Sequence, residues 1–300
     1  MNMDLVNKVT SAYLETAEGS DAARLRFLQG LWEIQAVAAA VIRPYHAPAP
    51  DVAREALVAG RPIFSVSAPE VPVAEYVDVA KQIARYVSET AGLSAEQSSE
   101  LLGADLAGAI DADLLTQAVL SPEAFVAEVA SRMGLTPESA LTPITVAFVL
   151  ISALVPFLVG PSSVALEASE FDFRAWGSGR CPVCGADASM GMMGESSQLQ
   201  GAERRLWCGH CHAEWSYERL RCVRCGTRNP DVLRYKYVEG DPAHRLHLCE
   251  ECHGYAKFTF IDDLGKPVSM VVEDAVTAVL EAVAAEQGYT ATGDGGKSSC

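Results

Sequence analysis

Eight of the nine cysteines stand in four C-x-x-C pairs: Cys181/Cys184, Cys208/Cys211, Cys222/Cys225 and Cys249/Cys252. A thiolate is a soft ligand, and two thiolates three residues apart can reach one ion from a single turn. The pairs recur. Each cysteine of the first two pairs has a counterpart 41 positions later. The details recur with them. Both opening pairs end in glycine, "CPVCG" and "CVRCG", and both closing pairs run into histidine and then an aromatic, "CHAEW" and "CHGY". Such a repeat means one structural unit used twice. It groups Cys181, Cys184, Cys208 and Cys211 as one site, and Cys222, Cys225, Cys249 and Cys252 as a second. A cross-braced pairing would instead build each site from unlike halves. In each unit a hairpin brings two turns side by side. Four sulfurs then converge tetrahedrally at ~2.3 Å from a zinc ion. Four cysteines close such a site and leave no position for a substrate. Two metal ions per chain follow, iron or zinc. Both suit an all-thiolate tetrahedron, and only iron brings redox chemistry. In a reducing cytoplasm, pairs of this kind point to metal or redox work before structural disulfides.

Other candidates weigh less. His210, His212 and His253 lie beside the closing pairs, but each site already has four ligands, so they read as caps on sulfur or as solvated side chains. Arg204, Arg205, Arg219, Arg221, Arg224 and Arg228 make a local basic run. Four thiolates around a divalent ion carry a formal −2, which nearby arginines offset. The competing reading is a patch for an acidic partner or RNA. Trp207, Trp215 and Tyr255 read as a small core over each ribbon. "ATGDGGKS" at 291–298 fits a loose phosphate-loop pattern, but such a loop must follow a strand and open a helix. His212-Ala213-Glu214 ahead of Cys222-x-x-Cys225 is too short for the zinc deaminase pattern, and Arg221 stands where that pattern has proline. Cys300 reads as a free tail thiol. No nucleophile elbow, triad spacing or cofactor loop is present, so the chain reads as non-enzymatic.

The elements that must position the cysteines come in two styles. Residues 1–168 read as an α-helical domain. "VAEYVDVAKQIARYVSET" (73–90) places Tyr76, Val77, Ala80, Ile83, Ala84 and Val87 on one helical face. Leu25–Val41 is another helix. Ser121-Pro122-Glu123 and Thr142-Pro143 are helix starts with proline at the first helical position. From Phe171 onward, "RRLWC", "EWSYERLRC", "LRYKYVEG", "HRLHLC" and "YAKFTFID" alternate like short strands. The expected organisation is a first four-cysteine ribbon at 169–216 and a second at 217–264. A C-terminal helix at 265–289 and a flexible tail at 290–300 complete it. The fold class is α+β: a mostly helical N-terminal domain followed by two tandem rubredoxin-like (zinc-ribbon) modules and a C-terminal helix. "HAEWSYERLR" between the two sites is short, which implies a fixed mutual orientation.

Charge and hydropathy limit the partners. The formal net charge is −16, of which −12 falls in residues 1–170. That disfavours nucleic acid. The start "MNMDLVNKVTSAYLETAEGSD" lacks the basic opening and apolar run of a secretory signal. "ITVAFVLISALVPFLV" at 144–159 is shorter than the ~20 residues of a bilayer span, and Pro156 and Pro161 interrupt or end it. It reads as a buried helix, with no membrane span and a cytoplasmic location.

With these residues in view, "CPVCG" at 181–185, "LWCGHCHAEWSYERLRCVRCG" at 206–226 and "LCEECHGYAKF" at 248–258 resemble the FdhE family of formate dehydrogenase accessory proteins. Glu214-Trp215 after the second pair, Arg219 before the third, and Tyr255-x-Lys257 after the fourth match that family's pattern. "VVEDAVTAVLEAVAAEQGY" near the C-terminus is similar too. The likeness carries specific motifs over 170–290, and over 1–170 only a helical layout and length. It implies a helical domain carrying two rubredoxin-like ribbons. It further implies a cytoplasmic maturation factor that contacts the formate dehydrogenase catalytic subunit before export by the twin-arginine route, with rubredoxin-type iron. His253 departs from the pattern, since some relatives carry glycine or arginine there. Two alternatives stand beside this reading: a nucleic-acid-binding zinc ribbon, and rubredoxin-like electron transfer.

Overall fold

A computed structural model describes residues 1–136, 139–195 and 202–293. The chain forms two compact units. One holds Met1 and Arg26–Glu170, and the other holds Asn2–Leu25 and the chain from Phe171.

Helices α1 (Met3–Leu14) and α2 (Gly19–Ala39) open the chain. They are followed by α3 (Pro50–Val58), α4 (Val73–Thr90), α5 (Ala95–Gly103), α6 (Leu106–Ala109), α7 (Ala112–Ala118), α8 (Pro122–Arg132) and α9 (Pro143–Ala168). In the helical unit, the apolar face of α4 is buried at all six positions that its spacing marks, and it packs on α9. Tyr76 stands at the centre. The rings of Phe125 and Phe157 lie 6.0 and 6.2 Å from it, and its hydroxyl donates to Leu150 O at 2.8 Å. Thr142 caps α9 by accepting from Thr145 N–H. Ser121 precedes α8 but makes no side-chain cap.

Pro156 and Pro161 do not interrupt the apolar run. Both lie inside α9, which continues to Ala168. Proline lacks the N–H that would satisfy the carbonyl four residues earlier. For Pro156 that carbonyl is Ser152 O, and the buried Gln35 donates to it from Nε2 at 2.8 Å. A side chain from α2 thus replaces the missing helical bond. By length and composition α9 could cross a membrane, and 56 % of its most apolar stretch is buried in this structure.

The first helix departs from the expected 1–168 domain. It groups with the C-terminal unit, because its polar-looking sequence still buries Val6, Val9 and Thr10 and aims Tyr13 at Glu273 and His244.

That unit is built on six strands: β1 (Met190–Glu195), β2 (Ala202–Trp207), β3 (Glu214–Ser216), β4 (Leu233–Val238), β5 (Asp241–Cys249) and β6 (Tyr255–Phe260). Their order is β3-β2-β1-β6-β5-β4. Each repeat contributes one antiparallel three-stranded meander. The two meanders join through a parallel pairing of β1 with β6, in register from Met190↔Lys257 to Met193↔Phe260. The two ribbons therefore share one continuous sheet. "MGMMGE" forms β1, a strand that glycine and methionine do not advertise. Gly191 is required at the join, because a Cβ there would lie 2.2 Å from the Phe258 ring and 2.8 Å from Arg205 O.

Helices α10 (Ile261–Leu264), α11 (Met270–Val276) and α12 (Ala278–Glu286) follow. Met270 packs with Met190, Met192 and Trp207. Leu280 and Ala284 of α12 pack with Leu246 and Leu248. These helices thus cover one sheet face. The single expected C-terminal helix is broken at Thr277. Its hydroxyl donates to Glu273 O at 2.6 Å and Asp274 O at 3.2 Å, and Lys257 Nζ also donates to Asp274 O. Side chains thereby compete for the carbonyls of that turn.

Candidate metal centres

The four C-x-x-C pairs fold as four copies of one turn. In each, the first cysteine N–H donates to the carbonyl five residues on: Cys181 to Ala186, Cys208 to Ala213, Cys222 to Thr227 and Cys249 to Gly254, at 2.8–3.0 Å. The residue after each pair takes left-handed backbone: Gly185 at φ 83°, His212 at 60°, Gly226 at 75° and His253 at 52°. Glycine adopts this readily, whereas other residues pay about 1–2 kcal/mol. Packing offsets that cost at the histidines. The His212 ring lies 5.1 Å from Trp207 and the His253 ring 5.8 Å from Tyr289. Neither histidine joins the sulfur clusters.

The turns meet in sequential pairs. Cys181, Cys184, Cys208 and Cys211 form one cluster, and Cys222, Cys225, Cys249 and Cys252 form the other. In the first, Sγ–Sγ distances are 3.5 Å (Cys181–Cys211) and 3.6 Å (Cys184–Cys208). In the second, Cys222–Cys252 and Cys225–Cys249 are each 3.8 Å apart. A tetrahedron with ~2.3 Å metal–sulfur bonds has edges of about 3.8 Å, so both clusters fit one ion. All eight cysteines are free thiols in this structure. Backbone amides support the sulfurs: Val183 N–H donates to Cys181 Sγ at 3.4 Å, and its repeat counterpart Arg224 N–H to Cys222 Sγ at 3.3 Å. Burial pushes the Cys181 thiol well above its ordinary range, and the Cys181 neighbour does the same to Cys184. Four thiolates in this volume require a cation between them. Cys300 and the end of the "ATGDGGKS" stretch lie outside the described residues.

The two clusters differ in exposure. All four cysteines of the first are buried. In the second, Cys225 is exposed and Cys252 half-buried. Trp215 of the first repeat is buried, with 2 % of its surface exposed and its Nε1–H donating to Ser178 O.

The basic run serves several ends. Arg180 and its repeat counterpart Arg221 brace their own turns, donating from Nε to Gly185 O and Gly226 O. Arg204 is 3 % exposed. Its Nη1 donates to the carbonyls of Glu218, Arg219 and Arg221 at 3.2, 2.9 and 2.8 Å. Its guanidinium lies 4.3 Å over the Phe258 ring, and burial lowers its pKa to about 10. Arg204 therefore clasps the segment between the sites to the sheet. Sequence reasoning gave it a charge-balancing part or a place in a binding patch, not a clasp. It also missed a buried network in which Glu273 accepts from Tyr13 and meets His244, whose other nitrogen meets Asp241. Only the fold brings those four residues together.

The chain has relatives. A protein FdhE homolog of Aquifex aeolicus is 30 % identical over 164 residues, 54 % of this chain and 55 % of the relative. Another, of Stutzerimonas stutzeri, is 34 % identical over 145 residues, 46 % of each chain. Over these matched regions the chain is similar to FdhE proteins. It spans about half the length of these curated relatives in the matched regions. No protein-family model matches it. The crystal structure of the FdhE protein from Pseudomonas aeruginosa shares the fold, with a TM-score of 0.59 over 97 % of this chain and 94 % of that one, at 20 % identity. This chain itself has a helical part followed by a strand-rich part with two four-cysteine clusters.

Proposed function

We propose that this chain is a non-enzymatic accessory protein for assembly and maturation of formate dehydrogenase. It acts in the cytoplasm by docking on the catalytic subunit. Cys181, Cys184, Cys208 and Cys211 hold one iron or zinc ion, and Cys222, Cys225, Cys249 and Cys252 hold a second. The observation that carries the reading is the pair of four-thiol clusters on one sheet in a chain that is 30–34 % identical to FdhE homologs over about half its length. Each cluster supplies all four ligands of a tetrahedral ion, which favours a structural role over an open catalytic one. An ion in each would tie two hairpin turns together and stiffen the sheet between them. A deletion strain should lose formate dehydrogenase activity, and the tagged chain should capture the catalytic subunit from cells. Undiminished activity in the deletion strain would sink the proposal. Metal analysis should give two ions per chain.

One observation favours rubredoxin-like electron transfer as a second reading. Cys225 gives the second site an edge to solvent, and iron there would be within reach of a redox partner. Colourless protein holding only zinc after growth with iron would count against it.

A further inference from the structure

The sheet face opposite α11 and α12 carries a cleft beside the second cluster. It encloses about 230 Å³ and is lined by five arginines: Arg204, Arg219, Arg221, Arg224 and Arg234. Among the described residues no aspartate or glutamate lines it, although the chain as a whole is strongly acidic. Part of this charge is used. Arg221 braces its turn, Arg234 meets Glu250 at 3.1 Å, and a loaded second site offsets more. Yet Arg204 Nε and Arg224 Nη1 are buried N–H groups with no partner among the described residues. A buried guanidinium donor left unmade is costly, and a carboxylate would satisfy it with a charge-assisted bond. The volume is below the ~300–1,000 Å³ of small-molecule pockets. It suits a side chain.

The surroundings suit a chain segment. β4 ends the sheet, so its outer edge is unpaired among the described strands. Tyr235 and Tyr237 are 66 % and 60 % exposed, and Leu220 on the cleft rim is 68 % exposed. Arginine and tyrosine are the residues that most often anchor protein interfaces. An unpaired edge accepts an extended peptide through backbone bonds.

We propose that the cleft and the free edge of β4 bind an acidic, extended segment of a partner protein. One carboxylate enters the cleft toward Arg204 and Arg224, and apolar neighbours lie on Leu220, Tyr235 and Tyr237. The proposal rests on the reading of the chain as a docking protein and gives that docking a place. RNA fits less well, because the apolar walls admit a side chain and the net charge of −16 repels a polyanion.

The test uses the full zinc-loaded chain and two fluorescein-labelled octapeptides, alternating Glu-Leu and alternating Lys-Leu. The Glu-Leu peptide should bind at least tenfold tighter by anisotropy and weaken with salt. It should also shift the Arg204 and Arg224 Nε–H signals in a nitrogen-15 spectrum. The double variant Arg219→Glu/Arg234→Glu, with native tryptophan fluorescence, should lose at least tenfold in affinity. Equal binding of the two peptides, unmoved arginine signals, or tighter binding of a single-stranded RNA oligonucleotide would each overturn the proposal. Capture of the catalytic subunit separates the two readings. If wild type and double variant capture it equally, the cleft is wrong and the docking function stands. If wild type captures none, the docking function fails and the peptide titration alone decides the cleft.

Discussion

His244 should make the C-terminal unit lose stability in mildly alkaline solution. Its side chain is 6 % exposed and lies between Asp241 at 2.7 Å and Glu273, itself 0 % exposed, at 2.8 Å. Burial alone would lower its pKa, but the bonds to the two carboxylates outweigh burial and push it up to about 9. A histidine raised from 6.5 to about 9 contributes about 3 kcal/mol. The sign follows from which state binds the proton more tightly. The folded form does, so the contribution is complete below pH 6.5 and is lost as pH rises through about 9. With a urea m-value of about 2 kcal/mol/M, the midpoint should fall by about 1.5 M between pH 6.5 and 9.5. Tryptophan fluorescence reports mainly on that unit, since three of the four tryptophans, Trp176, Trp207 and Trp215, belong to it and Trp32 lies in the other. The zinc-loaded protein keeps the cysteines from titrating in this window. His244→Gln should be weaker at pH 6.5 and lack this slope. α1 should exchange its amide hydrogens faster in that variant, because Tyr13 shares Glu273 with His244. A midpoint that does not move with pH, or that moves equally in His244→Gln, would refute the reasoning.

Three further outcomes follow from the structure. A chelator should strip the second site at least tenfold faster than the first, and iodoacetamide should modify Cys225 before any buried cysteine, as read by mass spectrometry. Gln35→Ala should leave Ser152 O unsatisfied beside Pro156 and lower stability by about 1–3 kcal/mol, measured by thermal melts of the helical unit. Gly191→Ala should push Phe258 away from β1 and cost about 1–3 kcal/mol, with the loss centred on the β1–β6 join in hydrogen exchange.

The sequence was most legible where local chemistry alone decides the structure. The 41-residue offset of the cysteines is visible without any contact, and the turns depend on residues within five positions of each cysteine. α4 was equally legible, because six apolar residues at helical spacing need only a partner. The structure diverged wherever a distant residue decided a local outcome. Pro156 stays in a helix because Gln35 reaches Ser152. The C-terminal helix breaks at Thr277, where its hydroxyl and Lys257 add bonds to the carbonyls of that turn. β1 is a strand because β2 and β6 flank it, not because of glycine and methionine. The place of α1 is set by Tyr13, whose partners lie more than 200 positions away. The arginine run was visible as charge, but its clasp and its unsatisfied donors need coordinates.

The way the meanders join has a consequence for self-association. By the repeat, β4 corresponds to β1 and β3 to the start of β6. The β1–β6 contact is thus head-to-tail: one end of the unit meets the opposite end of its copy. Contacts of that type do not close on themselves, and a further copy could add at either rim. Each chain keeps one outer strand of each kind, β4 and β3. What halts the series is the length of β3. It stops after three residues at Ser216, and the carbonyls of Glu218 and Arg219 beyond it, counterparts of the joining residues Thr259 and Phe260, are held by Arg204. One guanidinium thus occupies, at this rim, carbonyls whose counterparts lie in the β1–β6 join.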